Sequence, residues 1–475
     1  MKKGMSRRGR RGHRERQFGD GTRLGILTFS VSLASSAAMP FFLVLSLALF
    51  AFADDASLKN ESIRGRSELA RAASADGLVE ESIREWQLVK RDDPANVEAT
   101  KALASAPKPW VLDWDAATHR KWVAWSEKRR AFCGDIARRW ANLASERDKA
   151  GDRDGCWEAC QRAFGLDADC QRAHELLGEA KHDGGWVTEE IAAKRSRGLL
   201  ELRGEWLPAA DVRKQRMVWA DAWELHSPHY TVRSNRGLGP GRSVVVLAER
   251  VHTAFMRDIM GIVDAPAETK RLLVMDFATL DDLDAHIKAE HQGGTTPKGV
   301  PGFYSPGEGV HLTVLPEGSA LTREEVVLHE CTHAVAGRAI PLVGWINSRA
   351  NFWAWEGMAS YFESTESRDG KVVAGNTSVI RLKLAHDELA DGKFTPLAKF
   401  VALNQEGLGK QYQQAAGLVH FFLHWKGGMY REAFIQYFKV VATGMSDEKS
   451  FEKEFGRGAE TFEAEWKEHV MEFKK

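Results

Sequence analysis

Residues 322–337, which read TREEVVLHECTHAVAG, decide how the second half of this chain folds. Thr322 followed three residues later by Glu325 is a capping box, so a helix is predicted to begin here. The apolar residues that follow continue at helical spacing. On this helix His329 and His333 lie one turn apart on the same face, where both imidazoles can reach one point.

That pair of histidines indicates a metal site. Two imidazoles one helical turn apart are what a zinc ion needs from a helix. Glu330 is placed to take a proton from a zinc-bound water rather than to bind the metal. Cys331 is expected to be a small buried residue that faces away from the metal, and Gly337 predicts the end of the helix. The alternative is an amphipathic helix with two surface histidines.

A third protein ligand is expected from residues 351–363, which read NFWAWEGMASYFE. Glu356 follows His333 by 23 residues and lies in an otherwise apolar segment with helical spacing. An acid among such neighbours is costly to bury unless it is paired or bound to a metal. Glu356 is therefore predicted to complete the zinc site, and a solvent-facing Glu356 is the alternative.

The pattern around these motifs predicts an α+β fold. Apolar or alternating runs indicate strands at residues 229–233, 271–277 and 309–314, and amphipathic spacing indicates helices at 243–262 and 280–289. Beyond residue 341 the chain is mostly helical. Strands in the first part and helices in the second predict a small mixed or antiparallel sheet followed by a helical C-terminal half.

The residues before this region divide by pattern. Residues 57–181 carry apolar side chains at helical spacing, most clearly at 117–131 and 133–143, which resembles tetratricopeptide-style helical hairpins. A short duplication follows, in which GWVTEEI at 185–191 recurs as GEWLPAADV at 204–212. The predicted division is an export segment at 1–53, a helical repeat-like domain at 54–181, a Trp-anchored connector at 182–224 and a last domain at 225–475.

The N-terminus has the three parts of a secretory signal. Residues 1–23 hold nine basic and two acidic side chains, and residues 24–53 hold no charged side chain. Ala51-Phe52-Ala53 then matches a small-x-small cleavage site. We expect an exported protein, periplasmic or extracellular. The alternative is an uncleaved anchor that holds the chain to the membrane facing outward, since 30 uncharged residues are long enough to span a bilayer.

The rest of the chain is mildly acidic. The whole sequence has 66 basic and 66 acidic side chains, so 57 basic and 64 acidic ones remain after residue 53. That balance leaves no basic footprint for nucleic acid, and no second apolar run is long enough to span a membrane. Membrane contact is therefore expected only through the N-terminal segment, if it is not cleaved.

Four of the five cysteines fall within 38 residues, namely Cys133, Cys156, Cys160 and Cys170. In an exported protein they could form two disulfides in any of three connectivities. Cys156 and Cys160 share a helix face and are expected to have different partners. Free buried thiols are the alternative, and a zinc site is disfavoured because no CxxC pair occurs.

The histidine and glutamate motifs together resemble those of the gluzincin metallopeptidases, which include thermolysin and the alanyl aminopeptidases. FWAWEGMASYFE at 352–363 is similar to the W-x-x-E-G-x-x-x-Y-x-E pattern of the aminopeptidase branch. QYQQAAGLV at 411–419 is similar to the Tyr-containing helix of that branch. From about His229 onward, roughly half of the chain looks most like an uncharacterised bacterial gluzincin-like family, whose members often carry an export signal and upstream helical repeats.

The resemblance implies a zinc peptidase site. His329, His333 and Glu356 would bind Zn²⁺. Glu330 would be the general base, and Tyr412 would donate a hydrogen bond to the oxyanion of the tetrahedral intermediate. An extended substrate would then bind as an added strand beside residues 309–314.

Five further residues are secondary candidates. Thermolysin-like enzymes have an acid four residues after the third ligand to orient a histidine, and here Ser360 occupies that position, so Glu363 becomes the candidate acid. The Gly-x-Met-Glu-Asn motif of aminopeptidases does not occur in the sequence, so aminopeptidase activity is not implied. His420 could reach the site along the Tyr-containing helix, and Tyr361 is a second candidate oxyanion donor. His311, on an expected edge strand, could line the substrate groove.

The expected function is that of an exported zinc-dependent peptidase acting on a peptide or protein. One alternative is a partner- or peptide-binding protein, whose helical domain recruits a protein partner while the last domain is catalytically weak. The intact Glu330 favours catalysis over that alternative. A hydrolase of cell-wall peptide or amide bonds would use the same residues and is the other alternative.

Overall fold

The computed structural model describes residues 39–111, 114–290, 299–344, 346 and 350–473. The chain falls into two compact units, Met1–Ala56 and Ser57–Lys475. Residues 1–38 of the expected export segment lie outside the described residues. Within the described part of the chain, no helix is both long enough and apolar enough to cross a membrane.

The first part of the second unit is helical, as its pattern predicts. Asn96, Asp115 and Asp152 each accept a hydrogen bond from a backbone N–H of the helix that follows, which fixes three of the helix starts. Residues 117–131 and 133–143 form one continuous helix, which runs through Gly134. The helices are α1 (Met39–Ala75), which begins in the first unit, α2 (Val79–Asp92), α3 (Val97–Ala104), α4 (Ala116–Lys149), α5 (Arg153–Phe164) and α6 (Gln171–Leu176).

All five cysteines are buried free thiols. Cys156, Cys160 and Cys170 lie in one apolar cluster formed mainly by α4 and α5. Burial raises the pKa of the Cys160 thiol to about 12. Of the alternatives that the sequence raises, the structure therefore has free buried thiols and neither of the two disulfides.

The duplicated segment folds as two β-hairpins, each followed by a short helix. The hairpins turn at Asp183-Gly184 and Arg203-Gly204, residues with positive φ, as two-residue type I′ turns require. The sequence pattern did not predict the hairpins, although Asp-Gly is itself a hairpin signal. The elements are β1 (Glu179–His182), β2 (Gly185–Thr188), α7 (Glu189–Ser196), β3 (Leu199–Leu202), β4 (Glu205–Pro208) and α8 (Ala209–Gln215).

A five-stranded mixed sheet follows. Its strands are β5 (Trp223–His226), β6 (Tyr230–Ser234), β7 (Leu272–Asp276), β8 (Gly302–Ser305) and β9 (Gly309–Leu312), in the spatial order β5-β6-β7-β9-β8. β7 pairs in parallel with β6 and β9, and the two outer pairs are antiparallel. Between β6 and β7 lie α9 (Leu238–Phe255) and its π-helical extension (Met256–Met260), and α10 (Leu280–Glu290) follows β7.

The expectation that residues 309–314 form an edge strand is wrong. β9 is paired on both sides, with β7 and with β8. The edge strand on this side of the sheet is β8, whose four residues are too few to show an alternating pattern in the sequence. A substrate strand therefore cannot be added beside residues 309–314.

The rest of the chain is mostly helical, as predicted, and completes a mixed α+β architecture. The helix that carries Glu356, α12 (Phe352–Phe362), packs closely on α16 (Tyr412–Gly428), and a Cβ on Gly357 would lie only 2.8 Å from the carbonyl oxygen of Ala415. The elements are α11 (Arg323–Ala339), α12 (Phe352–Phe362), β10 (Glu366–Arg368), β11 (Lys371–Val373), α13 (Ile380–Ala390), α14 (Leu397–Phe400), α15 (Gln405–Leu408), α16 (Tyr412–Gly428), α17 (Arg431–Ala442), α18 (Ser450–Phe455) and α19 (Glu463–Met471).

A buried charge network joins α2 to later elements of the same unit. Glu80 of α2 binds Lys371 of β11 and lies 3.4 Å from Arg257 in the π-helical turn. Arg84 contacts Glu80 at 2.6 Å, and Glu81 also binds Lys371. Since these carboxylates are almost fully buried, the opposite charges must stay in place for the contact to hold.

Candidate metal centre

The start of α11 is fixed by two sets of bonds. The predicted capping box is present, with the Thr322 hydroxyl accepting from the Glu325 N–H and the Glu325 carboxylate accepting from the Thr322 N–H. Arg323 binds the buried carboxylate of Asp276 at the end of β7 and donates to the carbonyl of Thr313 at 2.6 Å. The first turn of α11 is therefore held at the carboxyl ends of the parallel strands.

α11 continues to Ala339, two residues beyond the end predicted at Gly337. The glycine there has a packing reason. A Cβ on Gly337 would lie 2.7 Å from the hydroxyl oxygen of Tyr304 on β8. Gly337 therefore lets the edge strand lie against the helix that carries the histidines.

His329, His333 and Glu356 converge on one point. Glu356 Oε2 lies 3.3 Å from His329 Nε2 and 3.5 Å from His333 Nε2. The two imidazole rings are 4.9 Å apart and nearly perpendicular, at 83°. All three side chains are buried. Two ligands of a tetrahedral zinc ion are about 3.3 Å from each other, so the spacing of these donor atoms fits such an ion.

Opposite charges hold the cluster together. Burial alone would raise the pKa of the Glu356 carboxyl, but the two imidazoles hold that pKa well below its usual range. Burial would lower the pKa of His329, but hydrogen bonds to Glu356 and Glu363 raise it to about 10. A cation bound here would take the place of a proton on His329, so metal binding would release that proton.

Glu363 orients His329 from the outer side of the cluster. Its Oε1 accepts a hydrogen bond from His329 Nδ1 at 2.8 Å, and its side chain is fully buried. A carboxylate on the outer ring nitrogen leaves Nε2 free to face a metal. Arg381 of α13 donates in turn to Glu363 at 3.1 to 3.3 Å. Nothing in the local sequence distinguishes Arg381 from Lys383 of the same helix, so the sequence did not reveal its role.

Glu330 is buried beside the cluster and close to the sheet edge. Burial raises the pKa of its carboxyl, although the nearby His329 and His333 act in the opposite direction. A Cβ on Gly302 of β8 would lie 3.0 Å from Glu330 Cγ. The edge strand therefore passes directly beside the candidate base.

Tyr412 is the first residue of α16 and faces the same cluster. Its ring lies 6.3 Å from that of His329, and the guanidinium of Arg381 lies 5.3 Å from the centre of the Tyr412 ring. Burial, followed by the charge of Glu356, raises the pKa of the Tyr412 hydroxyl. At neutral pH this hydroxyl keeps its proton and can donate it in a hydrogen bond.

Two of the secondary candidates are engaged in other contacts. His420 Nε2 donates to the carbonyl of Gly375 at 3.2 Å, and its Nδ1 accepts from His469 Nε2 at 2.8 Å. The Tyr361 hydroxyl is hydrogen-bonded to His424 Nε2 at 3.0 Å. The structure therefore does not bring His420 or Tyr361 into the cluster of His329, which the sequence spacing alone did not exclude.

Ser360 and His311 also have places in the core rather than at the metal position. Ser360 is fully buried within α12. His311 is buried in β9, and its ring stacks on Phe303 of the edge strand at 4.5 Å. Because β9 is an inner strand, His311 does not line a groove at the sheet edge, contrary to expectation.

A second group, His229, Glu249 and His252, also has donor atoms close enough for a metal. Its hydrogen bonds argue against one, since His229 Nδ1 is bonded to Glu249 at 2.7 Å and His229 Nε2 to the carbonyl of Ala265 at 3.1 Å. His252 stacks on His229 at 3.8 Å with nearly parallel rings, so the in-plane lone pairs of the two rings do not converge. This group therefore fits a structural contact between β6 and α9 better than a metal site.

Comparison with known proteins does not identify the site, so its role is inferred from its own residues. No protein-family model matches the chain, and no curated protein matches it.

The sequence did not indicate the residues that support the three candidate ligands. That support includes Arg381 behind Glu363 and the ring of Trp355, which stacks on His333 at 4.8 Å.

Proposed function

We propose that the chain is a zinc-dependent peptidase. The observation that carries the proposal is the convergence of His329, His333 and Glu356 beside the buried Glu330, with donor atoms 3.3 and 3.5 Å apart. Two imidazole nitrogens and one carboxylate oxygen are the donor set of hydrolytic zinc sites, which keep a fourth position open. A zinc ion bound there supplies Lewis-acid chemistry, polarising a carbonyl and lowering the pKa of water.

Glu330 is the general base of the proposed reaction. It accepts a proton from the attacking water and delivers it to the nitrogen of the leaving amine. Burial raises the pKa of its carboxyl, which makes the carboxylate a better proton acceptor than an exposed one. Its place beside Gly302 brings it near any peptide that lies along the sheet edge.

Tyr412 is the proposed oxyanion donor. Its hydroxyl keeps its proton, because burial and the neighbouring carboxylates raise its pKa. As the scissile carbonyl oxygen gains negative charge, a hydrogen bond from this phenol strengthens, and that difference lowers the barrier. Arg381 lies over the Tyr412 ring and adds a positive charge on the same side.

The edge of the sheet formed by β8 is the proposed binding place for an extended peptide. Among the described strands of this sheet, β8 and β5 are the two outermost, and β8 pairs with β9 alone. A peptide added to β8 would satisfy the unpaired backbone groups of the strand. Because Gly302 of β8 lies beside Glu330, such a peptide would pass close to the base. The substrate class is therefore a peptide or protein.

The same proposal includes an identity for each of the four regions of the chain. We infer a gluzincin-like domain at 225–475, a tetratricopeptide-like region at 54–181, a connector at 182–224 and export through residues 1–53. The first is supported by the order of the motif helices, in which α11, α12 and α16 carry the residues that the resemblance implies. The second is supported by the succession of helices from α1 to α6. The N-terminal sequence pattern alone supports export.

Cleavage of a peptide library by the zinc-loaded protein tests the proposed activity. Glu330→Gln should keep its zinc and lose on the order of 10²–10⁴ in rate, because it removes the base but no ligand. Glu324→Gln changes an exposed acid in the first turn of the same helix and should cleave like the wild type. Equal cleavage by Glu330→Gln, or none by the zinc-loaded wild type, would contradict the proposal. Cell-wall peptides in the library distinguish the alternative hydrolase from a general peptidase.

A binding function of the helical region is the second candidate. A cavity of 270 Å³ lies among α1, α2, α4 and α5. Arg66 in its wall is fully buried and pairs with Glu85 through Nη1 at 2.8 Å, while its Nε has no hydrogen-bond partner among the described residues. Guanidinium groups bind carboxylates well, so the fitting ligand is an acidic peptide segment. An acidic peptide should bind wild type and Glu330→Gln alike and bind Arg162→Gln more weakly, and no binding would contradict this function. The lining residues used here are Lys59, Arg66, Arg91, Arg162 and the single acid Asp92.

A further inference from the structure

Arg381 contacts two parts of the candidate site at once. Its Nε donates to Glu363 Oε1 and Oε2 at 3.3 and 3.1 Å, and its Nη2 donates to Oε1 at 3.2 Å. The same guanidinium lies 5.3 Å from the centre of the Tyr412 ring. Glu363 in turn accepts from His329 Nδ1 at 2.8 Å. Arg381 therefore contacts both Glu363, which orients the candidate ligand His329, and Tyr412, the candidate oxyanion donor.

We propose that Arg381 is a positioning residue that holds Glu363 towards His329 and holds the Tyr412 ring beside the site. The inference rests on the proposed function, in which His329 binds zinc and Tyr412 assists turnover. A guanidinium fork on both carboxylate oxygens fixes the rotation of Glu363, so Oε1 stays on His329. The guanidinium, 5.3 Å from the centre of the phenol ring, limits the swing of Tyr412.

The charges of the site give a second reason for Arg381. Glu330, Glu356 and Glu363 are three buried carboxylates in one cluster. A divalent cation would balance two of them, and Arg381, only 15% exposed, balances the third. Without Arg381 the buried Glu363 would keep an uncompensated charge, which favours turning away from His329 towards water.

Arginine and lysine differ in which of these roles they can fill. A lysine at this position could still place a positive charge near Glu363. It lacks the planar fork for both oxygens, and its compact ammonium is a poorer partner for the Tyr412 ring than a guanidinium. Arg381→Lys should therefore separate the support of His329 from the support of Tyr412, and Arg381→Gln should remove both.

Zinc affinity, measured by competition with a chelator, tests the support of His329. Arg381→Gln should bind zinc 10–100-fold more weakly than the wild type, as is typical when the partner of a ligand is lost. Arg381→Lys should stay closer to the wild type. Arg338→Gln is the matched control, since its guanidinium is bonded to Glu268 at the far end of α11, and it should bind zinc normally. Unchanged zinc affinity in folded Arg381→Gln would overturn this part of the inference.

Turnover tests the support of Tyr412. Arg381→Lys should lower kcat with little change in KM, and in a Tyr412→Phe background it should lower kcat no further, because both changes act on one group. Losses that multiply would overturn this part. Zinc affinity is measured without turnover, so it decides the His329 part whether or not the protein is active. A wild type that binds zinc but cleaves no peptide would overturn the proposed function and the Tyr412 part. If Arg381→Gln does not fold, Arg381→Met, which keeps a long side chain without the donors to Glu363, takes its place. Zinc affinity of Arg381→Met below that of Arg338→Gln supports the His329 part, and equal affinity overturns it.

Discussion

Among the residues of the site, Glu356 is a charged side chain whose burial is costly without its partners. Its carboxylate is buried in an apolar helix, and two imidazoles hold its pKa well below the usual range. A buried charge of this kind is stable only while its partners remain in place. The same environment makes the carboxylate available to a cation, which would take the place of the His329 proton between His329 and Glu356.

Glu356→Gln should abolish tight zinc binding while the chain stays folded. The amide has the same shape as the carboxylate, but it is neutral and does not supply the anionic oxygen of such a site. Zinc per chain, measured by mass spectrometry after dialysis, should fall from about one to near zero. Glu324→Gln should retain the zinc of the wild type. A Glu356→Gln protein that still holds one zinc ion per chain would show that the ligand set is different.

Tyr412→Phe should slow turnover without weakening substrate binding. Loss of one oxyanion donor typically costs roughly 2.7–4 kcal/mol in the barrier, seen in kcat more than in KM. The ring and its contact with Arg381 remain, so the melting temperature should barely change. Loss of thermal stability with kcat maintained would assign Tyr412 a structural role instead.

At the scale of helices and strands, the sequence predicted what short-range chemistry determines. The Thr322–Glu325 capping box marks the start of α11, and helical spacing places His329 beside His333. The strand order was not predictable in this way, because nothing in the sequence of residues 309–314 indicates that β8 pairs with them. Arg381 was missed for a similar reason, since it reaches Glu363 through the packing of α13 rather than through spacing in the chain.

Gly337→Ala should destabilise the contact between β8 and α11. The new methyl group would lie 2.7 Å from the Tyr304 hydroxyl oxygen, and overpacking of this kind costs about 1–3 kcal/mol. Tyr304→Phe in the same chain removes the nearest atom and should restore most of the loss. The free energy of unfolding in urea measures both effects. Equal stabilities of Gly337→Ala and the wild type would mean that Gly337 has no packing role.

At the scale of the whole unit Ser57–Lys475, α2 is tied to residues far along the chain by buried charges. Glu80 contacts Arg257 and Lys371, so its carboxylate meets cations from two elements that follow much later in the sequence. No pattern around Glu80 indicates such partners, and the expected boundary at residue 181 gave no reason to look for them. Breaking a buried pair of this kind by removing one partner typically costs about 3–5 kcal/mol.

The acid sensitivity of the fold should depend on Glu80. Burial raises the pKa of this carboxyl, but Lys371, Arg257 and Arg84 lower it from 4.5 to about 2. A carboxyl whose pKa is lower in the folded state adds stability above its unfolded pKa and loses it as the pH falls towards the folded pKa. In zinc-free protein, the urea concentration at the unfolding midpoint should fall between about pH 4.5 and 2, and it should fall less steeply in Glu80→Gln than in the wild type. Glu406→Gln, an exposed acid, should keep the slope of the wild type, and an identical slope in Glu80→Gln would contradict the buried network.

The position of a bound zinc ion tests the proposed centre most directly. An anomalous-difference map at the zinc edge, from a crystal of the zinc-loaded protein, should show one peak per chain. We expect that peak about 2.0–2.2 Å from Nε2 of His329, Nε2 of His333 and a carboxylate oxygen of Glu356. A stoichiometric zinc peak at another place, such as His229 and Glu249, with none between the two histidines of α11, would contradict the proposed centre.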